Sequence, residues 1–180
     1  LFDRGDVVRR CRRIDVIDGA HPAVGAQVRG EDFSGTCRPA GKRGELADWE
    51  RDVDGALALV ILFDQFPHHM YRQQAESFTM EAQARAIARR ILWRELDRTL
   101  APERQAFAYL PFMHSENLID QEQSVQLFSQ PGLENNLKWA LHHRDIVRRF
   151  GRFPHRNVTL GRTSTAAEVE YLQAQGSYRG

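Results

Sequence analysis

The apolar positions of this chain are most continuous between Ala56 and Phe63, where eight residues in a row are hydrophobic. A run that is apolar on nearly every side of a helix belongs in a protein interior. Asp52 or Asp54 can cap the start of this helix, and Pro67 is expected to end it, because the residue before a proline avoids helical geometry. We therefore predict a central helix against which other helices pack.

Amphipathic segments follow the central helix, and each places apolar residues three or four positions apart, as on one face of a helix. They cover 78–96, a short segment from Pro102 that Leu110-Pro111 closes, 116–128 behind a Ser115 cap, and 134–150. Thr165 and Glu168 match a capping box, which predicts a last short helix. The pattern predicts one all-α domain of packed antiparallel helices.

The segment 134–150 shows the clearest inward face. Its stripe consists of Trp139, His143, Ile146, Val147 and Phe150. Gly151 is a natural stop, because glycine readily adopts the left-handed conformation that ends helices. Since His143 lies on the stripe, it is either a core histidine with one hydrogen bond or a ligand-binding residue.

The first 44 residues differ from the rest of the chain. They hold seven of the thirteen glycines. Glycine or proline interrupts every candidate element before it reaches the roughly ten residues that a packed helix usually needs. We predict a divergent or poorly ordered segment over 1–44 and a helical domain over 45–180.

The amino-acid composition limits the kinds of partner that we expect this protein to bind. The formal net charge of +1 gives no global field for nucleic acid or for an anionic membrane. The longest apolar stretch is far shorter than the roughly 20 residues that cross a bilayer, and the N-terminus lacks the order of a secretory signal. Cys11 and Cys37, the two cysteines, indicate neither a disulfide framework nor a Cys-based metal site. We expect a cytoplasmic protein without nucleic-acid or membrane partners.

A long loop over 151–164 lies in a region of positive charge, since residues 144–162 contain six arginines and one acid. Guanidinium groups bind carboxylate or phosphate through paired hydrogen bonds. The candidate ligands of a small anion are Arg152, Arg156, Asn157 and Arg162. The equally open alternative is that the arginines pair with acids of the protein itself, the candidates being Asp64, Glu81, Glu116 and Glu168.

Candidate acid–base residues occur at three helix junctions: Asp64 beside Gln65, His114 beside Glu116, and His155 in the long loop. Imidazole and carboxylate can move a proton or bind a metal. No metal site is predicted, because His-x-Glu lacks the four-residue spacing of a helix-borne zinc motif. If the four ionisable groups converge they are catalytic candidates, with Gln65 and His143 binding the ligand; otherwise such groups satisfy helix ends.

Three segments carry a resemblance to a known family: LVILFDQFPHHMYR at 59–72, FAYLPFMHSENLIDQE at 107–122 and HRDIVRRFGRFPHRNVTLGRTSTAAE at 143–168. Through them, residues 45–178 resemble the bacterial domain-of-unknown-function 924 family. The resemblance implies an all-helical fold related to tetratricopeptide-like helical arrays and no established activity. The chain departs from the family where His68 stands in place of a usual arginine. The Trp/Phe-rich helix that opens the family is not found in 1–44.

Two functions are open on this basis. In the first, the protein binds or acts on a small anionic ligand where the polar side chains converge. In the second, it is a tetratricopeptide-like protein-interaction module, and the polar cluster is a structural clasp. We favour the first, because a module that only offers a groove has little need for so many ionisable groups at one helix junction. Neither function implies a particular cofactor or requires catalysis.

Overall fold

Eight α-helices run through residues 36–174, the part of the chain that this computed structural model describes. They are α1 (Arg38–Lys42), α2 (Val53–Val60), α3 (Phe66–Met70), α4 (Glu81–Trp93), α5 (Pro102–Met113), α6 (Leu118–Phe128), α7 (Glu134–Phe150) and α8 (Ala166–Gln173). A π-helical turn joins α2 to α3, and short 3₁₀ turns occur at Ala47–Arg51, Ala75–Phe78, Leu96–Thr99 and Pro154–Arg156. Residues 36–174 contain no strand, so the predicted single all-α domain is confirmed.

Helix α2 lies at the centre of the domain, as predicted. Every residue from Ala56 to Phe63 is buried. The Oδ1 atom of Asp52 accepts a hydrogen bond from the N–H of Gly55 at 2.8 Å, which identifies Asp52 as the cap. Helices α4 and α5 both pack against α2, so its apolar sides are covered by other helices.

Both predicted helix ends at prolines are wrong. The chain continues from α2 through the π-helical turn Ile61–Gln65 into α3, with Pro67 in its first turn, and Pro111 lies inside α5. A proline within an α-helix has no N–H to donate, and its ring clashes with the carbonyl four residues earlier. The wider π-helical turn, in which the N–H of Phe66 donates to the carbonyl of Ile61, gives the Pro67 ring room.

Helix α7 spans Glu134–Phe150 and ends at Gly151 with a φ of 70°, as predicted. Of the predicted inward stripe, His143, Ile146 and Val147 are buried. Trp139 is a correction, because it is 47% exposed. Its ring lies beside Lys138 and His142 on the surface of the same helix instead of entering the core.

The starts of the last helices test two predicted caps. In α8 the Thr165 side chain accepts from the N–H of Glu168, and the Glu168 carboxylate accepts from the N–H of Thr165, which confirms the capping box. In α6 the cap is Asn117 instead of Ser115. Ser115 lies ahead of the helix, where its hydroxyl accepts from the N–H of Asn117 at 3.2 Å and donates to Asp120 Oδ2 at 2.7 Å.

The described part of the N-terminal segment, from residue 36, packs on the core. Cys37 and Ala40 are buried, and a Cβ on Gly41 would lie 2.4 Å from atoms of the Phe63 ring. Cys37 is disulfide-bonded, a bond that the low cysteine content did not predict because a count says nothing about separation in space. The remainder of the predicted segment, 1–35, lies outside the described residues. Within the described residues, no helix has the length and apolar composition to cross a membrane.

Buried apolar side chains form two clusters. The larger one surrounds α2 and includes residues of α1, α4, α5 and the start of α7. The smaller one consists of Ile146, Val147 and Phe153, with Phe150 and Tyr171 packed against it. Because Phe153 belongs to the long loop, this smaller cluster fastens the loop to α7 and α8.

Candidate functional site

The π-helical turn places a completely buried acid beside an amide. Asp64 exposes 0% of its surface. His114, the residue after α5, faces Asp64 through Nδ1, which lies 2.9 Å from each carboxylate oxygen. The Gln65 amide nitrogen donates to Oδ2 of Asp64. Single π-helical turns occur frequently at functional sites, and this one holds an acid against a histidine from another helix.

Asp64 and His114 form a charged pair. Burial raises the pKa of Asp64, but the charge of His114 and its hydrogen bond lower that pKa, and the net result lies below the ordinary value. Burial lowers the pKa of His114, while the charge and hydrogen bond of Asp64 raise it, with a net increase. Both shifts favour ionisation. Since Nδ1 donates to Asp64, Nε2 is the ring nitrogen left for another group.

A second acid, Glu81, connects this pair to the long loop. Its Oε1 lies 3.1 Å from Nη1 of Arg156 and 3.4 Å from Nε2 of His68. Arg156 also donates from Nη2 to the carbonyl of His114 at 2.9 Å. The His68 and His114 rings meet edge to face with centroids 4.9 Å apart. The two acids, two histidines and one arginine therefore form a continuous polar cluster.

Arg156 reaches this cluster from the loop by passing between two aromatic rings. Its guanidinium carbon lies 4.5 Å from the Phe78 ring centroid and 4.7 Å from that of Phe153. A guanidinium stacked on aromatic faces keeps its hydrogen-bonding edge free. The aromatic contacts therefore orient Arg156 toward Glu81 and the His114 carbonyl.

A cavity of about 380 Å³ opens beside the cluster. It lies between α3, the 3₁₀ turn that follows it, the end of α5, α7 and the long loop. Its lining consists of Gln65, His68, His69, Arg72, Gln73, Ser77, Phe78, His114, His143, His155, Arg156 and Thr159. All seven titratable side chains of this lining are bases, and none is an acid. Asp64 and Glu81 lie behind the wall, paired with His114 and Arg156.

Two histidines of the lining are neutral. Burial lowers the pKa of His143 to about 3, partly opposed by a 2.7 Å hydrogen bond between Nδ1 and the Trp139 carbonyl. Burial, followed by the charge of Arg156, lowers the pKa of His155 to about 4. A neutral imidazole offers one donor and one acceptor, and His143 uses its donor on the Trp139 carbonyl, so its other ring nitrogen, Nε2, is an acceptor. These two side chains can therefore orient a bound molecule without adding charge.

The other loop arginines that sequence analysis singled out bind acids of the protein. Arg162 donates two hydrogen bonds to Glu116, at 2.7 and 2.9 Å. Arg152 does the same to Glu168, at 2.6 and 2.8 Å. Together with the Arg156–Glu81 pair, this is the internal pairing that sequence analysis left open as the alternative to an external anion.

The predicted site residues therefore separate into two groups. The first group lines the cavity and consists of Gln65, His114, His143, His155 and Arg156, with Asp64 directly behind His114. The second group, Glu116, Arg152, Asn157 and Arg162, is not part of the lining. Glu116 accepts the backbone N–H of Phe153, and Asn157 donates to Ser164, so these residues hold the loop in place.

Several lining residues have no role predicted from the sequence, and His68 has the clearest signal among them. His68 follows Asp64 by four residues, which places the two on one side of a helix. One oxygen or nitrogen atom from each of Asp64, His68 and His114 lies within 4.8 Å of the other two. Within the described residues, this set has the composition and spacing to hold a metal ion.

Comparison with known proteins gives a family and a related structure. The model of a family described as bacterial proteins of unknown function, DUF924, matches residues 19–176, so the match begins before residue 45. The structure titled as a protein of unknown function, ATU0120, from Agrobacterium tumefaciens is 32% identical. The match has a TM-score of 0.77 and covers 94% of this chain and 96% of that one. No curated protein matches the chain.

Proposed function

We propose, for a chain that belongs to the DUF924 family of bacterial proteins of unknown function, that the cavity binds a small anionic molecule. The proposal rests on the composition of the lining, which contains five histidines and two arginines and no acid. The oxygens of a carboxylate or a phosphate ester act mainly as hydrogen-bond acceptors at neutral pH, so they fit the donors that Arg72, Gln73 and Nε2 of His114 offer.

Charge within the wall supports an anion of modest charge. Asp64 balances His114, and Glu81 balances Arg156, so the buried part of the site is close to neutral. The guanidinium of Arg72 lies at the exposed rim, where it also interacts with other groups of the protein. The proposed ligand therefore places its charged group toward Arg72 and its uncharged polar atoms toward the buried side chains.

The size of the cavity sets the class of molecule. Small-molecule sites commonly have volumes of about 300–1,000 Å³. At about 380 Å³, this cavity suits a compact metabolite and excludes a folded partner. Neutral polar side chains, Gln65 and Gln73 among them, supply the additional hydrogen bonds that select one such molecule.

The test is thermal unfolding of the full chain, in buffer stripped of metal, with inorganic phosphate and with panels of phosphorylated and carboxylated metabolites. A ligand at a hundredfold excess over its dissociation constant stabilises a protein by about 2.7 kcal/mol. We expect a saturable rise of the melting temperature with at least one member of a panel.

The variant Arg72→Ala should weaken that ligand about tenfold or more, because it removes the charge at the rim. Arg98→Ala is the matched control, since its side chain is 73% exposed and pairs with Glu95 outside the cavity. The proposal is overturned if no anion shifts the melting temperature, or if Arg72→Ala and Arg98→Ala leave the affinity equally unchanged.

A protein-interaction module, the alternative function, has weaker support. The large apolar side chains that are exposed within the described residues belong to five different elements. They are Trp93, Leu118, Ile119, Trp139, Val158 and Val169. Because nothing groups them around the polar cluster, we propose no second function.

A further inference from the structure

We propose that Asp64, His68 and His114 bind a divalent transition-metal ion beside the cavity. Two imidazoles and one carboxylate are a ligand set that suits zinc, iron, cobalt or nickel, whereas magnesium and calcium prefer sites made of oxygen. This inference goes beyond anion binding, because it assigns a metal to side chains that otherwise only line or support the cavity.

The first support is spacing. In a site with metal–ligand bonds of about 2.0–2.2 Å, neighbouring ligand atoms lie roughly 3–3.5 Å apart. His114 Nδ1 and the Asp64 oxygens are already 2.9 Å apart. The three ligand atoms all lie within 4.8 Å of one another, so an approach of the His68 ring by at most about 1–2 Å completes such a site.

The second support is the state of His68. Its Nε2 atom is buried and forms no hydrogen bond within the described residues. It lies 3.4 Å from Oε1 of Glu81, an atom that already pairs with Nη1 of Arg156 at 3.1 Å. A buried polar atom without a hydrogen bond is energetically unfavourable. A metal ion would either bind Nε2 of His68 directly or bind the other ring nitrogen and turn the ring, so that Nε2 leaves this buried position.

Neighbouring groups hold the proposed ligands as the outer shell of a metal site does. Gln65 donates to the Asp64 carboxylate, and Arg156 donates to the backbone carbonyl of His114. Such contacts fix the orientation of ligands. The positive charge of Arg156 opposes a cation, but Glu81 binds that guanidinium at 3.1 Å and offsets the repulsion.

Metal binding can be written as the exchange of one proton for the metal ion. The proton that His114 Nδ1 shares with Asp64 leaves for solvent, and the ion takes its place between the nitrogen and the carboxylate oxygen. Three protein ligands leave coordination positions open. Those positions would accept water or an oxygen of the anion proposed above, although metal binding does not depend on that anion.

The experiment starts from the full chain, freed of metal with a chelator and dialysed. Calorimetric titration with zinc chloride should give saturable binding of one ion per chain, and magnesium chloride should give none. Cobalt(II) should produce visible absorption bands that report nitrogen and oxygen ligands.

Two variants remove proposed ligands. His68→Gln and His114→Gln should each weaken zinc binding about tenfold to a hundredfold. His69→Gln is the matched control, because it removes the next histidine of the same helix, which is exposed and outside the set of three. Circular dichroism and cooperative unfolding check that each variant folds. If His114→Gln does not fold, His68→Gln and the cobalt spectrum of the unaltered chain decide.

The proposal is overturned if the chain binds no transition metal, if His68→Gln binds zinc as tightly as the unaltered chain, or if only His69→Gln loses binding. Failure here leaves the anion proposal testable, because the melting-temperature shift with anions is measured without metal. Conversely, zinc binding without any anion response would support the metal site and reject the anion.

Discussion

Arg156 shows how one residue can support both the fold and the cavity. Its guanidinium lies against Phe78 and Phe153, binds Glu81 and donates to the carbonyl of His114. The side chain is only 6% exposed, so water replaces few of these contacts. Buried ion pairs owe their importance less to net attraction than to the cost of leaving one partner alone.

The variant Arg156→Met tests this cost. It keeps a long apolar stem but leaves Glu81 with the more distant His68 and Arg85, whose Nε2 and Nη1 atoms lie 3.4 and 3.6 Å away. We expect the free energy of unfolding to fall by about 3 kcal/mol in urea titrations. The double variant Glu81→Gln/Arg156→Met should lose less than the single one. Equal or additive losses would show that the two side chains do not act as a pair.

His143 gives a prediction about pH. Its pKa is about 3 in the folded chain against an ordinary 6.5, so between these values the unfolded chain binds a proton that the folded chain does not. The free energy of unfolding must therefore fall as pH drops from 6.5 toward 3, by at most about 1.4 kcal/mol per pH unit for this group. His114, His142 and His155 act on it in the same direction, since their charges also lower its pKa.

Replacing His143 with glutamine should flatten the acid side of the stability profile. Urea titrations at several pH values between 7.5 and 5 would measure the slope for both chains. Part of the slope should persist in the variant, because the pKa of His155 is also low, at about 4. An unchanged slope would mean that His143 is accessible to protons in the folded chain.

At the scale of helices, local signals predicted starts better than ends. Asp52 and the Thr165–Glu168 box were readable because a cap is made by residues within three positions of each other. The helix ends predicted at Pro67 and Pro111 are wrong, because the continuation of a helix through a proline depends on how the surrounding helices pack. The predicted Ser115 cap is wrong because the helix begins at Leu118, two residues later than predicted, and Asn117 is its cap.

The candidate site was only partly predictable for the same reason. Sequence identified Asp64, His114 and His155 as chemically suitable, but nothing local indicates that Glu116 faces Arg162 instead of the cavity. His68 was the residue that spacing could have revealed, since it lies one turn after Asp64. Pairing between distant elements is set by packing, which the pattern of a single helix does not contain.

The capping box of α8 provides a prediction for one element. Thr165→Ala removes the acceptor for the N–H of Glu168, and we expect a loss of about 0.5–2 kcal/mol in the free energy of unfolding. Thr163→Ala is the control, because only its backbone carbonyl is used, by Arg152. Chemical denaturation of both variants measures the difference. A similar loss in both would assign the effect to the loop and not to the cap.

At the scale of the whole molecule, charge pairs fasten the C-terminal part to the helices before it. The loop after α7 supplies Arg156 and Arg162, and the preceding part of the chain supplies Glu81 of α4 and Glu116 of the connection between α5 and α6. The apolar cluster around Phe153 is small compared with the cluster around α2. When the helices up to α7 pack together, Glu81 and Glu116 therefore still lack Arg156 and Arg162, which the following loop brings to them.

A chain that ends at Phe150 should reveal this dependence. It lacks both arginines and Phe153, so Glu116 loses Arg162 and Glu81 keeps only the more distant Arg85 as an arginine partner. We expect the melting temperature to fall steeply or the cooperative transition to disappear. Adding Glu81→Gln and Glu116→Gln should restore part of the loss, because an amide without an arginine costs less to bury than a carboxylate.

A chain that ends at Ala174 is the comparison, since it keeps every described contact. If the chain ending at Phe150 melts like that comparison, the charge pairs do not hold the two parts together. If the glutamine variants bring no recovery, the missing stability comes from the apolar cluster around Phe153 and not from the acids.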